Sequence, residues 1–410
     1  MKIGIVTTWF ERGAAYVSKQ YEELLEDEHE VYIYARGGET YAEEDSKWNT
    51  ANVYWAKKYT MPITGTYIDE EDFKKWIERN QIETILFNEQ SWWQSVVLCK
   101  KWGIKTGAYI DYYTDRTLEL FNAYDFLICN TKRHYSAFSW HKQCYYIPWG
   151  TDTSLFAPKV IDEEKKNKND NFVFFHSAGM SPFRKGTDFV IEAFAKISDR
   201  YPESTLIIHS QSSLEKTLPM HVKLMNNLIQ KNKLEIIEET VTAPGLYYKG
   251  DVYVYPSRLE GIGLTIAEAQ SSGLPIITVD NAPMNEFIVE PSKAASVKKY
   301  YCRGDGYYWP MCEVNVDDLA KQMEYFLNNK DKLQEYKNKT REYATKNLDW
   351  MGNKDGVEKA FVESELLLLE KNTVNLINKY DNLSFPLITK YPLVYSYSYR
   401  FFKYMKGIFA

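Results

Sequence analysis

The stretch from Tyr255 to Asp280, YPSRLEGIGLTIAEAQSSGLPIITVD, contains two apolar strands separated by a glycine turn and a helix. The first strand ends at Tyr255, and a Gly-Ile-Gly turn follows Glu260. The helix begins near Thr265 and ends at Gly273, before the second strand. This order of elements is a β-α-β unit, which is the building block of a parallel sheet covered by helices.

The rest of the chain repeats this alternation of short apolar runs with longer amphipathic ones. In the N-terminal half the pattern predicts strands at 3–7, 31–34, 84–87, 106–110, 126–129 and 145–147. In the C-terminal half it predicts strands at 172–175, 205–209, 234–237, 252–255 and 275–279. We therefore expect an α/β protein with two successive Rossmann-like units, and ligands beyond the carboxyl ends of the strands.

The best domain boundary lies in the segment 157–171, APKVIDEEKKNKNDN, which is dense in charge and asparagine. We assign an N-terminal domain to residues 1–156 and a C-terminal domain to 172–350, with 157–171 as the linker. Helices in 351–382 are expected to return to the N-terminal domain, and 383–410 form a tail.

The tail has nine aromatic and four basic residues and no acidic residue. Aromatic and basic residues together are typical of a segment that binds a membrane surface. Packing across the two domains, or self-association, is an equal alternative for so short a segment with two prolines.

The composition and residue patterns of the chain exclude several classes of protein. The 410 residues carry 50 Lys and Arg against 56 Asp and Glu, a net charge of −6, so the chain lacks the positive field of a nucleic-acid binder. The five cysteines are scattered without metal or disulfide spacing, and the six histidines form no metal motif. The N-terminus lacks the pattern of a signal peptide, and no apolar run is long enough to span a bilayer. We expect a cytoplasmic protein, peripheral at the inner face of the membrane if the tail binds there, with no metal and no nucleic-acid partner.

The glycine turn before the predicted helix has the features of an anion site. Gly261 and Gly263 let the backbone approach a ligand closely, and the N-terminus of the following helix offers N–H groups and a positive dipole end. Glu260 and Glu268, eight positions apart, can both reach one ligand there, for example by accepting hydrogen bonds from sugar hydroxyls. The fingerprints for dinucleotides and for the P-loop are both absent.

Two structural considerations bear on these carboxylates. The sequence Thr265-Ile-Ala-Glu268 equally fits a capping box, in which Glu268 only accepts from the Thr265 amide. Glu260 is harder to explain structurally, because a carboxylate beside a phosphate-binding loop is electrostatically unfavourable without a ligand.

The Glu-x7-Glu pattern, between a strand followed by Pro-Ser and a G-x-P-I-I strand, resembles the donor-site motif of retaining glycosyltransferases with the GT-B fold. The resemblance is greatest to glycosyltransferase family 4. Three further segments are similar to that family and occur in its order: IPWGTDTSLF (147–156), FRKGTD (183–188) and the pair Leu246-Tyr247. The resemblance implies two Rossmann-like domains that face each other across a central cleft.

The resemblance also implies roles for individual residues. Glu268 would bind the ribose hydroxyls of a nucleoside diphosphate sugar, and Glu260 would bind the sugar. Lys185, with Arg184, would neutralise the diphosphate leaving group without a metal or other cofactor. Further donor contacts would come from Gly261, Ile262, Gly263, Leu264, Thr265, Gly179 and, across the cleft, Gly13. The alternative for Arg184 and Lys185 is a solvated pair at a helix start.

The chain departs from the family at two positions. Many relatives have another arginine five or six residues before the lysine, where this chain has Met180 and Gly179. Relatives often have a histidine that contacts the donor sugar where this chain has Asp111. Asp111 either binds a sugar hydroxyl or positions the acceptor, or it is an ordinary turn aspartate.

Taken together, these features predict a retaining transfer of a sugar from a nucleoside diphosphate sugar to a hydroxyl of a glycan, lipid-linked or protein acceptor. Polysaccharide or glycoconjugate synthesis is the expected role. A non-catalytic nucleotide-sugar-binding subunit and a sugar-nucleotide epimerase are the alternatives. His176 is expected to be a hydrogen-bonded core residue, and Trp92 and Trp93 to be packed in the core.

Overall fold

The computed structural model describes residues 1–38, 40–58, 65–159, 171–384 and 401. Most of the predicted linker 157–171 and nearly all of the tail 383–410 lie outside the described residues. No helix in the described part of the chain combines the length and apolar character needed to cross a membrane.

The chain divides into two compact units. We call Met1–Asn130, His134–Ile147 and the segment from Lys354 onward the N-terminal unit. The C-terminal unit consists of Thr131–Arg133 and Pro148–Asn353.

The described residues of the N-terminal unit form a seven-stranded parallel sheet. Its strands are β1 (Lys2–Thr7), β2 (Glu30–Ala35), β3 (Val53–Trp55), β4 (Thr84–Phe87), β5 (Lys105–Tyr109), β6 (Phe126–Cys129) and β7 (Cys144–Tyr146). Their order across the sheet is β3-β2-β1-β4-β5-β6-β7. The central strands are buried along nearly their whole length, as expected for a parallel sheet covered on both faces. The six strands predicted for this half are confirmed to within one residue at each end, and β3 was not predicted.

Helices connect these strands. They are α1 (Gly13–Leu25), α2 (Glu70–Asn80), α3 (Gln94–Lys101) and α4 (Lys132–Phe138), with a 3-10 helix at Leu118–Ala123. The predicted apolar stripe of α1, which includes Val17 and Tyr21, is buried. Trp92 and Trp93 are buried in the core, as predicted.

The described residues of the C-terminal unit form a six-stranded parallel sheet in the order β10-β9-β8-β11-β12-β13. Its strands are β8 (Phe172–Gly179), β9 (Ser204–Ser210), β10 (Leu234–Glu238), β11 (Val252–Tyr255), β12 (Ile276–Val279) and β13 (Lys293–Ala295). A separate antiparallel pair consists of β14 (Val297–Tyr301) and β15 (Met311–Val314). The five strands predicted for this half are confirmed, although β8 runs four residues further than expected. β13, β14 and β15 were not predicted.

The helices of the C-terminal unit are α5 (Thr187–Ile197), α6 (Leu214–Thr217), α7 (Val222–Gln230), α8 (Leu264–Ser271), α9 (Val316–Asn328) and α10 (Leu333–Asn347). Short 3-10 helices occur at Pro219–His221, Tyr247–Lys249, Lys330–Lys332 and Trp350–Asn353. The predicted stripe of α5, which includes Val190 and Phe194, is buried against the sheet.

Two C-terminal helices, α11 (Lys354–Val362) and α12 (Lys371–Ser384), pack on the N-terminal unit. The rings of Phe361 and Phe126 lie 5.1 Å apart, edge to face. The Gln94 amide donates to the buried Asp381 carboxylate at 2.8 Å. The segment from Lys354 onward therefore belongs to the first compact unit.

Candidate functional site

The predicted residues 179–186 and 256–268 meet because of the strand order. β8 and β11 are adjacent parallel strands, with Phe175 opposite Tyr253. The chain reverses its direction of winding between these two strands, so both following loops open at the same edge of the sheet. We call residues 180–186 the β8 loop and residues 256–263 the β11 loop. Ligands of doubly wound sheets bind at this kind of switch point.

The two loops are hydrogen-bonded to each other. The Arg258 amide donates to the Arg184 carbonyl at 2.8 Å, and the Arg184 guanidinium donates to the Leu259 carbonyl at 2.6 Å. Gly186 has a left-handed φ of 75°, and a Cβ built on it would lie 2.2 Å from the Pro256 carbonyl oxygen. Only glycine permits this approach, so Gly186 brings the β8 loop onto the β11 loop.

A buried ion pair ties the β11 loop to the first turn of α5. The Arg258 guanidinium donates to both carboxylate oxygens of Asp188, at 2.7 and 2.6 Å. It lies between the rings of Phe183 and Phe189, with its central carbon 3.9 and 3.8 Å from their centroids. A bidentate pair between rings fixes both side chains in one geometry. Sequence reasoning missed Arg258, and its one signal was a basic residue two positions before Glu260.

Three hydrogen-bond donors and one further cation converge on one oxygen of Glu260. Its Oε1 accepts from Ser257 at 2.6 Å, Tyr255 at 2.7 Å and Lys185 at 2.8 Å. The Arg184 guanidinium forms an ion pair with the same oxygen at 2.9 Å. The Glu260 side chain is 8% exposed. Burial alone would raise the pKa of Glu260, but the nearby charges of Arg184 and Lys185 lower it well below its usual range. Glu260 is therefore an ionised carboxylate at neutral pH.

Lys185 is the more buried of the two cations of this cluster. Its side chain is 15% exposed, and its ammonium also donates to the Tyr255 hydroxyl, which in turn donates to Glu260. Burial lowers the pKa of Lys185 to about 8, and the Glu260 carboxylate offsets only part of that shift.

These contacts correct two expectations from the sequence. Glu260 does not lack a counter-charge, because Arg184 and Lys185 already pair with it. The alternative in which Arg184 and Lys185 form a solvated pair is wrong for Lys185, which is largely buried, while Arg184 is 34% exposed. The cluster of Arg184, Lys185 and Glu260 carries one net positive charge.

Glu268 is on α8 and is held by a tyrosine. The Tyr247 hydroxyl donates to its Oε2 at 2.6 Å. Burial raises the pKa of Glu268. The capping-box alternative is wrong, because α8 begins at Leu264 after Gly263, and its N-cap receives no side-chain hydrogen bond. Glu268 therefore lies one turn into the helix with its carboxylate fixed by Tyr247.

The backbone before α8 supplies unpaired donors. Gly263 has a φ of 85°, which allows the chain to turn sharply into the helix. Across the described residues, the N–H groups from Gly261 to Thr265 donate to no protein acceptor. These five amides, the positive end of α8 and the cationic cluster are suited to an anion.

The other predicted site residues are more scattered. Gly179 ends β8 with a φ of 56°, and nothing lies within 4 Å of a Cβ built there. Gly13 is the exposed first residue of α1, and Asp111 follows β5; both belong to the N-terminal unit. No cluster of metal-ligating side chains is found among the residues that the structure covers.

His176 connects β11 to the first residue of α5. Its Nδ1 donates to the Val254 carbonyl at 2.7 Å, and its Nε2 accepts from the Thr187 hydroxyl at 2.8 Å. Burial lowers the pKa of His176 to about 4, so the ring is neutral. The prediction of a hydrogen-bonded core histidine is confirmed.

Comparison with known proteins shows that the C-terminal unit is similar to glycosyltransferases. Residues 158–346, nearly the whole C-terminal unit, match the family model "Glycosyl transferases group 1". The match contains both loops and α8.

Curated relatives align over the same part of the chain. The UDP-Gal:alpha-D-GlcNAc-diphosphoundecaprenol alpha-1,3-galactosyltransferase of Escherichia coli is 30% identical over 155 residues, 35% of this chain and 38% of that protein. Mannosylfructose-phosphate synthase of Agrobacterium fabrum is 28% identical over 149 residues, 33% of this chain and 32% of that protein. The alignments thus span about a third of the length of these relatives.

Solved structures match over both units. HepE of Anabaena in complex with UDP covers 88% of this chain and 99% of its own, with a TM-score of 0.70 at 15% identity. Sucrose-phosphate synthase of Thermosynechococcus elongatus covers 88% and 98%, with a TM-score of 0.65 at 16% identity. These matches establish the GT-B fold, as predicted.

Proposed function

We propose that the chain is a retaining glycosyltransferase that moves a sugar from a nucleoside diphosphate sugar to a hydroxyl acceptor. One observation carries the proposal: five unpaired amides around the start of α8 directly follow Glu260, which pairs with two cations of the β8 loop. Such a site complements an anion next to a polyhydroxylated group. The match to glycosyltransferases and the structure of HepE in complex with UDP support this choice of ligand.

The proposal assigns a role to each carboxylate and each cation of the site. Glu268, fixed by Tyr247, accepts hydrogen bonds from the ribose hydroxyls. Glu260 holds the donor sugar through its Oε2, since its Oε1 already accepts three hydrogen bonds and pairs with Arg184. Lys185 and Arg184 stabilise the diphosphate as negative charge grows on it. The donor roles of Gly13 and Gly179, and the role of Asp111, stay predictions.

The chemistry follows from this arrangement. The bond between the anomeric carbon and the diphosphate breaks with both electrons on the phosphate oxygen. The acceptor hydroxyl forms the new bond on the same face, and the leaving phosphate takes its proton. Basic side chains and backbone amides supply the positive charge, so we propose that no metal is required. Polysaccharide or glycoconjugate assembly is the proposed role, and cytoplasmic location and membrane or self-association through 383–410 stay predictions.

The first experiment identifies the nucleotide of the donor. Thermal shift with UDP-, GDP-, ADP- and TDP-sugars should single out one nucleotide that stabilises the chain. Mass spectrometry should then detect sugar transfer to added glycan acceptors, or slow donor hydrolysis, and both should be lost in Glu260→Gln. Binding without transfer or hydrolysis would favour a non-catalytic subunit, and an isomerised donor would favour an epimerase. A chain that none of these nucleotides stabilises would contradict the proposal.

A further inference from the structure

A third segment reaches the β11 loop. The guanidinium of Arg133 donates to the Glu260 carbonyl at 2.6 Å and also to the Ala282 carbonyl, in the loop after β12. The Arg133 side chain is buried, and it belongs to the C-terminal unit. It therefore bridges the loops that follow two adjacent strands, β11 and β12.

Arg133 is itself held in place. The Glu286 carboxylate accepts from the backbone amides of Lys132 and Arg133, at 2.6 and 2.9 Å. The Arg133 guanidinium carbon lies 5.4 Å from the centroid of the Trp309 ring. Two backbone bonds and a ring contact restrict the directions in which the guanidinium can point.

The carbonyl that Arg133 binds belongs to the peptide that leads into the glycine turn. The Glu260–Gly261 bond is trans, since the cis peptides of the described residues are elsewhere. In a trans peptide the C=O and N–H point in opposite directions. Fixing the Glu260 carbonyl on Arg133 therefore directs the Gly261 N–H away from Arg133, and that N–H is one of the five unpaired amides.

We propose that Arg133 is a positioning residue for the donor site, which orients the Glu260–Gly261 peptide so that the Gly261 N–H donates to the bound donor. The inference rests on the proposed function. A charged donor on the carbonyl also polarises the peptide and strengthens the N–H as a donor. Without Arg133, a glycine-rich turn would rotate this peptide readily.

The test uses the full chain labelled with [15N]glycine and the nucleoside diphosphate chosen from UDP, GDP, ADP and TDP by thermal shift. The Gly261 signal is assigned by its absence from Gly261→Ala. In the wild-type chain this signal should shift when the diphosphate is added. In Arg133→Met we expect the Gly261 signal of the ligand-free chain to differ in position from that of wild type, and to shift less when the diphosphate is added. The affinity for the diphosphate should fall about tenfold, which is the effect of losing one hydrogen bond.

Two variants separate positioning from general support. Arg133→Lys keeps the charge and should recover part of the Gly261 shift and of the affinity. Arg200→Met is the matched control, because Arg200 is an exposed arginine paired with Glu324. It should leave both readouts at the wild-type level. If Arg133→Met does not fold, Arg133→Lys carries the test, and its Gly261 shift should lie below that of wild type.

The outcomes distinguish the two proposals. If no diphosphate shifts the Gly261 signal in the wild-type chain, the proposed donor site fails. If the wild-type signal shifts and both Arg133 variants keep the same shift and affinity, the donor site stands and the inference on Arg133 is overturned.

Discussion

The Lys185 ammonium lies 2.8 Å from the Glu260 carboxylate, and both groups are largely withdrawn from water. A buried pair of this kind is costly to break, because removing one partner leaves the other charge buried without compensation. The pair also ties the β8 loop to the β11 loop. Stability and ligand binding at this edge of the sheet should therefore depend on the same two side chains.

Glu260→Gln should destabilise the C-terminal unit. The change removes the negative charge that compensates Lys185 and Arg184, and the loss should be about 3 kcal/mol. Urea denaturation followed by fluorescence measures it. Glu268→Gln is the matched control, because burial already raises the pKa of Glu268 and a neutral amide can still accept from Tyr247. Equal stability of the two variants would show that the ion pair contributes little.

Binding of a nucleoside diphosphate should weaken as pH rises through about 8. Burial lowers the pKa of Lys185 to about 8, and only the protonated amine attracts a phosphate. A bound anion raises this pKa, so binding at pH 8 should take up protons. Titration calorimetry in HEPES and Tris, which differ in ionisation heat, measures the uptake.

Lys185→Arg is the control for this pH dependence. Arginine stays protonated across the range, so the variant should bind with nearly constant affinity from pH 7 to about 9. Constant affinity in the wild-type chain over that range would assign the phosphate contact to another residue.

The pairing of Tyr247 with Glu268 predicts which part of the nucleotide each residue affects. Glu268→Ala should lower the affinity for nucleoside mono- and diphosphates alike, by about tenfold, because both carry the ribose. Tyr247→Phe should also lower both affinities, but by less, because the Glu268 carboxylate remains and loses only its hydrogen bond from the tyrosine hydroxyl. Calorimetry with both nucleotides measures this.

Lys185→Ala provides the contrast. It should lower the affinity for the diphosphate and leave that for the monophosphate unchanged. If Glu268→Ala binds both nucleotides like wild type, the ribose assignment is wrong.

Much of the fold could be predicted from the sequence, because short, continuous apolar runs mark the buried strands of a parallel sheet. The missed strands lack that signal. Val53–Trp55 and Lys293–Ala295 are three residues long and mostly half-buried at the sheet edges. The 3.6-residue spacing of apolar residues also predicted helices such as α1 and α5.

The candidate residues could be found from sequence motifs, but the contacts between them could not be predicted. The pairing of Glu260 with Lys185 joins residues 75 positions apart and depends on β8 lying beside β11. The sequence showed the capping-box pattern at Thr265 but not that Gly263 would begin the helix in a left-handed conformation. Arg133 lies 127 positions from Glu260, in a segment with no motif of its own.

Gly186→Ala should be the most damaging small change in the β8 loop. Gly186 has a left-handed φ of 75°, so alanine incurs a backbone cost of about 1 kcal/mol. Its Cβ would also lie 2.2 Å from the Pro256 carbonyl oxygen. Relieving that clash separates the β8 and β11 loops and moves Lys185 away from Glu260. The variant should therefore lose about 3 kcal/mol of stability in urea denaturation, together with most diphosphate affinity, because strain at a special backbone position adds to the clash.

Gly306→Ala is the matched control for this change. Gly306 has a left-handed φ of 77°, but nothing lies within 4 Å of a Cβ built there. The variant should lose about 1 kcal/mol of stability and keep its diphosphate affinity. Equal losses in the two variants would mean that the close approach of the loops at Gly186 does not hold the site together.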